Sequence, residues 1–312
     1  MWTVKDAGIE ETALWRYIEE QVYSLPGTEH HRDVFSVLLT GSRAVGNYVP
    51  DSDVDIDVLC PQAVYASVQK AALEAGIIQS ENGFWLLRTG EDLHRYFGEE
   101  VAVPHISIHP LDTVARQLAE FDDVALWIWS NARALTDPNG QFQRVVETFT
   151  GYPPDVLVRK IEYRHLLYLY WTICAFPLHS AEPCDLLPAA TSLVNAVNEL
   201  LRLFFLVERK PFPYTEKLMS LARATAFGKQ LGPRLQQVVD LAVGVACPEI
   251  SPWERLRRAS DLVMLPDLNE NPGTPEQAFL EAVLAAGVGE HWLENDFDNI
   301  DDLLSGRLGP TP

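Results

Sequence analysis

Cysteine is scarce in this chain. Cys60, Cys174, Cys184 and Cys247 are the only four, and they form no Cys-x-x-Cys pair and no zinc-ligand spacing. That excludes a zinc ribbon and a disulfide framework, and the four read as reduced thiols of a cytoplasmic protein. Basic residues are also few: 24 Lys and Arg stand against 44 Asp and Glu, a formal net charge of -20. A protein that grips a long polyanion neutralises phosphates with Lys and Arg, so tRNA and DNA are disfavoured as partners. No long charge-free apolar run suits a bilayer crossing, and Met1-Trp2-Thr3-Val4-Lys5-Asp6 is followed by no apolar signal segment. Repeats and low-complexity tracts are missing as well. What remains is 312 residues, 47% of them hydrophobic, enough for two domains with cores of their own.

Within that ordinary background one stretch stands out. Leu38-Leu39-Thr40 ends an apolar run at Gly41-Ser42; ten residues later Asp53-Val54-Asp55-Ile56-Asp57 opens a second run. On a strand, alternate side chains share a face, which sets Asp53, Asp55 and Asp57 against Val54, Ile56 and Val58. Neighbouring carboxylates repel, and such a cluster is comfortable beside a cation. Magnesium, which takes one or two carboxylates plus substrate phosphates, is the natural candidate. Gly41-Ser42 lies where a strand should turn into a helix, and the free amides of a helix start attract phosphate. Phosphate grip and metal clamp together equip a site for phosphoryl or nucleotidyl transfer.

Two plainer readings compete. Pro50-Asp51-Ser52 has the composition of a solvated turn. A calcium loop needs Gly at its sixth position and Glu at its twelfth. Counting from Asp51 gives Ile56 and Gln62, and from Asp53 gives Val58 and Val64, so both registers fail.

Gly41-Ser42, ten residues, and Asp53-Val54-Asp55 together resemble the signature of the polymerase-β-type nucleotidyltransferase superfamily. The likeness is greatest to the small bacterial enzymes that modify antibiotics of the aminoglycoside and lincosamide type, and to their uncharacterised relatives. The resemblance implies an α+β fold: a mixed twisted sheet with flanking helices, followed by an all-helical C-terminal domain. It implies two Mg²⁺ ions on Asp53 and Asp55, and ATP or another nucleoside triphosphate held near Gly41 and Ser42. Such families carry a third carboxylate on a later strand. Here the strand ending His105-Ile106-Ser107-Ile108-His109 has none. Either a nearby Glu99 or Glu100 substitutes, or His105 serves as the base, or catalysis is lost.

The remaining organisation follows from periodicity. Gly8 to Leu25 reads as an amphipathic helix, Val34–Leu39 and Val54–Leu59 as strands, and Gln62–Ala75 as a helix closed by Gly76. Phe84–Arg88 and Val101–Ile108 are further strands. Helical spacing dominates from Leu111 onward, and a boundary near Gly151 divides a nucleotidyltransferase domain, 1–150, from a helical substrate-binding domain, 151–312. In the second, Arg159–Phe176 is rich in aromatics, and Pro188–Val207 buries Leu193, Val197, Leu200 and Phe204. Asn195, Asn198, Glu199 and Arg202 share a polar face of that helix. Pro211-Phe212-Pro213-Tyr214-Thr215-Glu216-Lys217 resembles the segment that brings a basic residue to the phosphates in relatives of the family, with Lys217 and Tyr214 as the ligands it implies.

The expectation is a cytoplasmic, Mg²⁺-dependent adenylyltransferase-like enzyme with a nucleoside triphosphate and a small, cationic, aminoglycoside-like acceptor as partners. Two alternatives stand beside it: an antitoxin-like relative that modifies or binds a partner protein, and a catalytically silent nucleotide-binding relative.

Overall fold

The computed structural model describes residues 3–78, 84–87, 95–98, 105–177, 186–266, 272–290 and 293. Contacts divide the chain into two units, Met1–Thr150 and Gly151–Pro312.

Five strands build the sheet of the first unit. Strands β1 (Ser36–Leu39), β2 (Asp55–Cys60), β3 (Phe84–Leu87), β4 (His105–Pro110) and β5 (Arg133–Thr136) lie in the order β3-β4-β2-β1-β5. β2 and β4 run parallel, and every other pairing is antiparallel. Val54, Ile56, Val58, Ile106 and Ile108 are each at most 1% exposed. They form one core with Leu14, Tyr17 and Ile18 of α1 (Glu11–Gln21) and with Val68 and Ala72 of α3 (Gln62–Glu74). Each such side chain contributes about 1.5–3 kcal/mol by burial, and a one-residue slip would turn the whole set outward. The register of β2 is therefore fixed, and with it the face that carries Asp55 and Asp57.

Element ends differ from the sequence reading for local reasons. α1 starts only at Glu11, because Gly8 is left-handed (φ 66°) and closes a preceding single turn, Val4–Ala7. α3 stops at Glu74, and Gly76, at φ 69°, donates its amide to the Leu73 carbonyl as a C-terminal cap. Asp53 does not belong to a strand: β2 begins at Asp55, and Asp53 ends the connection that follows the short helix α2 (Gly41–Ala44). The chain after Leu111 is not uniformly helical. α4 (Leu111–Ala119) and α5 (Asp123–Asn131) lead into β5, which pairs with β1 across an irregularity at Val37/Leu38. A four-residue strand whose first two side chains are exposed carries no alternation for a reader to see. Residues 101–104, expected to open β4, lie outside the described residues, as do Glu99 and Glu100.

After α6 (Gln141–Val146), the described residues of the second unit are helical: α7 (Pro154–Leu169), α8 (Leu186–Val207), α9 (Thr215–Ala222), α10 (Ala226–Ala242), α11 (Pro252–Val263) and α12 (Pro275–Ala285). α7 begins with a proline in its first turn, where no amide is needed, and continues into a π-helical turn at Tyr170–Ala175. α8 is the axis of the packing. Leu193, Val197, Leu200 and Phe204 are at most 1% exposed, and Phe204 meets Phe279 edge-on at 5.2 Å. α8 is long and apolar enough to cross a membrane, against the sequence reading, yet most of it is buried inside the protein.

Candidate active site

Gly41 and Asp55 bring the two halves of the motif together. Gly41 has φ 66°, a conformation open to glycine, and a Cβ built there would overlap Asp55 Oδ2 and lie 3.0 Å from Asp55 Cγ. The Asp55 carboxylate thus sits against the turn itself. The Thr40 amide donates to the Asp55 carbonyl at 3.0 Å, which carries the β1–β2 ladder up to that turn. Ser42 is 6% exposed, and its carbonyl accepts from the Asn47 amide.

The neighbouring strand completes one polar face. In the parallel pairing Asp55 stands opposite His105 and Asp57 opposite Ser107. His105 Nε2 lies 3.5 Å from Asp53 Oδ2, with Asp53 45% exposed. The His105 amide donates to the Val54 carbonyl at 2.9 Å, fixing the residue between the two aspartates. Asp57 is held differently: Thr40 Oγ1 donates to its Oδ2 at 2.6 Å, and His109 Nε2 lies 3.1 Å from its Oδ1. The His109 ring in turn meets Trp129 of α5 edge-on. Asp55 is therefore the carboxylate at the Gly41 turn, Asp53 lies beside His105, and Asp57 ties β2 to its neighbours.

Arg43, beside the motif, is a residue that sequence reasoning passed over. It is 2% exposed, and its guanidinium donates to four backbone carbonyls. Nε reaches Ser52 and Asp53 at 3.1 and 3.0 Å, Nη1 reaches Ala7 at 3.0 Å, and Nη2 reaches Pro50 and Ser52 at 3.0 and 2.8 Å. A single side chain thereby fixes the connection that presents Asp53. Burial pulls the guanidinium below its ordinary value, and the charges of Asp53 and Asp55 act the other way. The available signal was position: an arginine immediately after Gly-Ser, at the head of the ten residues that lead to Asp53, with many carbonyls to satisfy.

The donor chemistry fits magnesium. Asp53 and Asp55 offer oxygen only, and magnesium keeps several waters and takes one or two carboxylates beside substrate phosphates. Among the described residues no group of three or more His, Cys, Asp or Glu side chains gathers as a metal cage.

Tyr214 and Lys217 belong to the second unit. Tyr214 caps the start of α9, its carbonyl accepting from the Lys217 amide at 3.0 Å, and both side chains are half-buried. The basic run Arg159, Lys160 and Arg164 is not a continuous surface. Arg159 pairs with Asp155, Lys160 is 7% exposed, and Arg164 pairs with Glu199.

A family model described as a domain of unknown function (DUF4037) matches residues 119–218, less than half of the chain. The match includes Tyr214 and Lys217 but none of Gly41, Ser42, Asp53, Asp55 and His105. Among solved structures, a nucleotidyltransferase-like protein from Exiguobacterium sibiricum is similar over 88% of this chain and 77% of its own, at 10% identity and a TM-score of 0.40. That likeness is too shallow to carry an argument. No curated protein matches.

Proposed function

We propose that the protein is a Mg²⁺-dependent nucleotidyltransferase that moves a nucleoside monophosphate, AMP from ATP, onto a hydroxyl of a small cationic acceptor. One observation carries this reading: the Asp55 carboxylate lies against the Gly41 turn. Phosphates seated on the Gly41-Ser42 amides would therefore lie beside the carboxylates that hold the metal. Asp53 and Asp55 would hold Mg²⁺, which supplies charge neutralisation at the phosphates and activation of the acceptor hydroxyl. Arg43 keeps Asp53 in position, and Gly41, by having no side chain, leaves the Asp55 carboxylate its place against the turn. For Lys217 and Tyr214, which belong to the second unit, a phosphate-ligand role rests on the likeness of the Pro211–Lys217 segment alone. The net charge of -20 favours a cationic acceptor, because an acidic cleft raises its encounter rate, and disfavours a polyanion. We place the reaction in the cytoplasm, where reduced thiols and ATP coexist.

A second reading, a nucleotide-binding relative that no longer transfers, has its own observation. His105 occupies the position directly across from Asp55 on β4, where the resemblance implies a third carboxylate. The two readings separate in one experiment. The protein is incubated with α-labelled ATP, Mg²⁺ and a panel of aminoglycosides, and label is followed into acceptor. Labelled acceptor and released pyrophosphate support transfer. Mg²⁺-dependent ATP binding without any labelled product selects the silent relative, and no ATP binding defeats both.

A further inference from the structure

A pocket of about 570 Å³ opens where α8, the end of α10 and the start of α11 meet. Leu187, Ala190 and Val194 of α8, Val243 just beyond α10 and Leu256 of α11 supply most of its wall. Among the described residues the exposed large hydrophobics are Val49, Leu187, Val243 and Val245, so three of the four gather at or beside this one pocket. Apolar residues scattered over a surface need no explanation. An apolar patch around a concavity of this size has the form of a ligand site.

One cation joins that wall. Arg255 of α11 lines the pocket, and its guanidinium lies over Gly244, where a Cβ would come within 3.2 Å of Nη2. Nη1 donates to the Ile250 carbonyl at 2.9 Å. Nε is buried and meets no acceptor. Among the described residues Nη2 has none either, and no carboxylate pairs with the guanidinium. A structural arginine would hold the 244–251 connection and sit favourably at the C-terminal end of α10. That role uses one N–H of five and leaves a buried donor unsatisfied, which is costly. It also gives no reason for the guanidinium to share a pocket with aliphatic side chains.

We propose that this pocket binds a small amphipathic carboxylate, with its apolar chain against α8 and its carboxylate on Arg255. A guanidinium fork matches a planar carboxylate with two N–H groups on two oxygens, and the Nε–Nη2 side of Arg255 is the side without an acceptor. One cation in apolar surroundings is neutralised by one negative charge. A phosphate monoester carries closer to two and would leave part of its charge unpaired beside aliphatic walls. The cationic acceptor of the proposed reaction would be repelled by Arg255, so this ligand is a further one. The site lies wholly within the second unit and does not depend on the magnesium reading.

The test uses the full chain, with decanoate and its uncharged analogue decanol titrated by calorimetry into the wild type, Arg255→Gln and Ala190→Phe. The wild type should bind decanoate more tightly than decanol, and octanoate about tenfold more weakly than decanoate, the worth of two buried methylenes. Arg255→Gln should weaken decanoate by about tenfold or more, as loss of a charge-assisted hydrogen bond does, and leave decanol unchanged. Ala190→Phe sets a ring into the pocket from the α8 wall and should abolish binding of both. A merely structural Arg255 would lower the melting temperature in Arg255→Gln and shift both probes alike. If Arg255→Gln fails to fold, the wild type's preference for decanoate over decanol, together with Ala190→Phe, still decides. The competing occupant is a second copy of the chain. A wild-type dimer in sedimentation that Leu187→Asp disperses, with no decanoate bound, would assign the patch to that copy and overturn the proposal. It is equally overturned if the wild type binds no decanoate at about 1 mM, an affinity near the weakest useful limit, or if Arg255→Gln weakens both probes to the same degree.

Discussion

The Asp55 carboxylate occupies the space that any side chain at Gly41 would need. Gly41→Ala should therefore act twice. The left-handed backbone (φ 66°) costs an alanine about 1–2 kcal/mol, and the methyl group must push the Asp55 carboxylate aside. The expected result is a modest fall in melting temperature with a much larger loss of Mg²⁺-dependent ATP affinity. Equal ATP affinity in Gly41→Ala and the wild type would separate the turn from the site.

Arg43 gives a prediction about stability and position together. Arg43→Met removes the donors from the Ala7, Pro50, Ser52 and Asp53 carbonyls and should cost about 3 kcal/mol or more, as buried groups left unpaired do. Arg43→Lys keeps the charge but cannot span four carbonyls with one fork. It should recover part of the stability while leaving Mg²⁺ affinity weakened. Urea denaturation and Mg²⁺ titration of the two variants check this. Full recovery of both properties by lysine would mean that charge alone matters.

These two residues show how far the sequence could be read. The spacing of Gly41-Ser42 and Asp53-Val54-Asp55 pointed to a candidate site, and alternation from Val54 to Val58 announced which residues face away from the core. Both signals are local, and local rules carry them. Arg43 was hidden because its partners are carbonyls scattered over Ala7, Pro50, Ser52 and Asp53, which no residue pattern records. β5 was hidden because an edge strand of four residues, Arg133–Thr136, needs only the ladder with β1 to exist. Asp53 was drawn onto a strand because period two does not say where pairing stops. The ion cluster of Arg164, Glu199 and Arg202 was half legible: the shared face of Glu199 and Arg202 follows from helical spacing, but Arg164 comes from another helix.

Cys60 offers a test by pH. Burial pushes its thiol up from 9.0 to about 12. The folded state therefore holds that proton where the unfolded chain would release it. Its contribution to stability is complete below about pH 9 and is lost as pH rises toward 12. Denaturation midpoints of the wild type and Cys60→Val should diverge over that window, with the wild type falling more steeply. Parallel curves would contradict the assignment. At neutral pH Cys60 should also resist thiol reagents until the protein unfolds.

His105 stands across from Asp55 on the parallel strand β4, so His105→Asp would create the third carboxylate that the resemblance implies. In chelator the variant should melt at a lower temperature than the wild type, because a third negative charge joins Asp53 and Asp55. Mg²⁺ should restore the difference, and transfer should rise if the histidine had limited it. A variant indifferent to Mg²⁺ would show that His105 does not face the metal.

The central claim is that Asp53 and Asp55 carry the metal for a nucleotide seated on Gly41-Ser42. Calorimetric titration of ATP into the wild type, Asp53→Asn and Asp55→Asn, each with and without Mg²⁺, tests it most directly. The account predicts ATP binding that Mg²⁺ strengthens by about tenfold or more in the wild type. It predicts loss of that Mg²⁺ effect in both variants, with melting temperatures maintained or slightly raised as repulsion is relieved. Unchanged Mg²⁺-dependent affinity in both variants would contradict it.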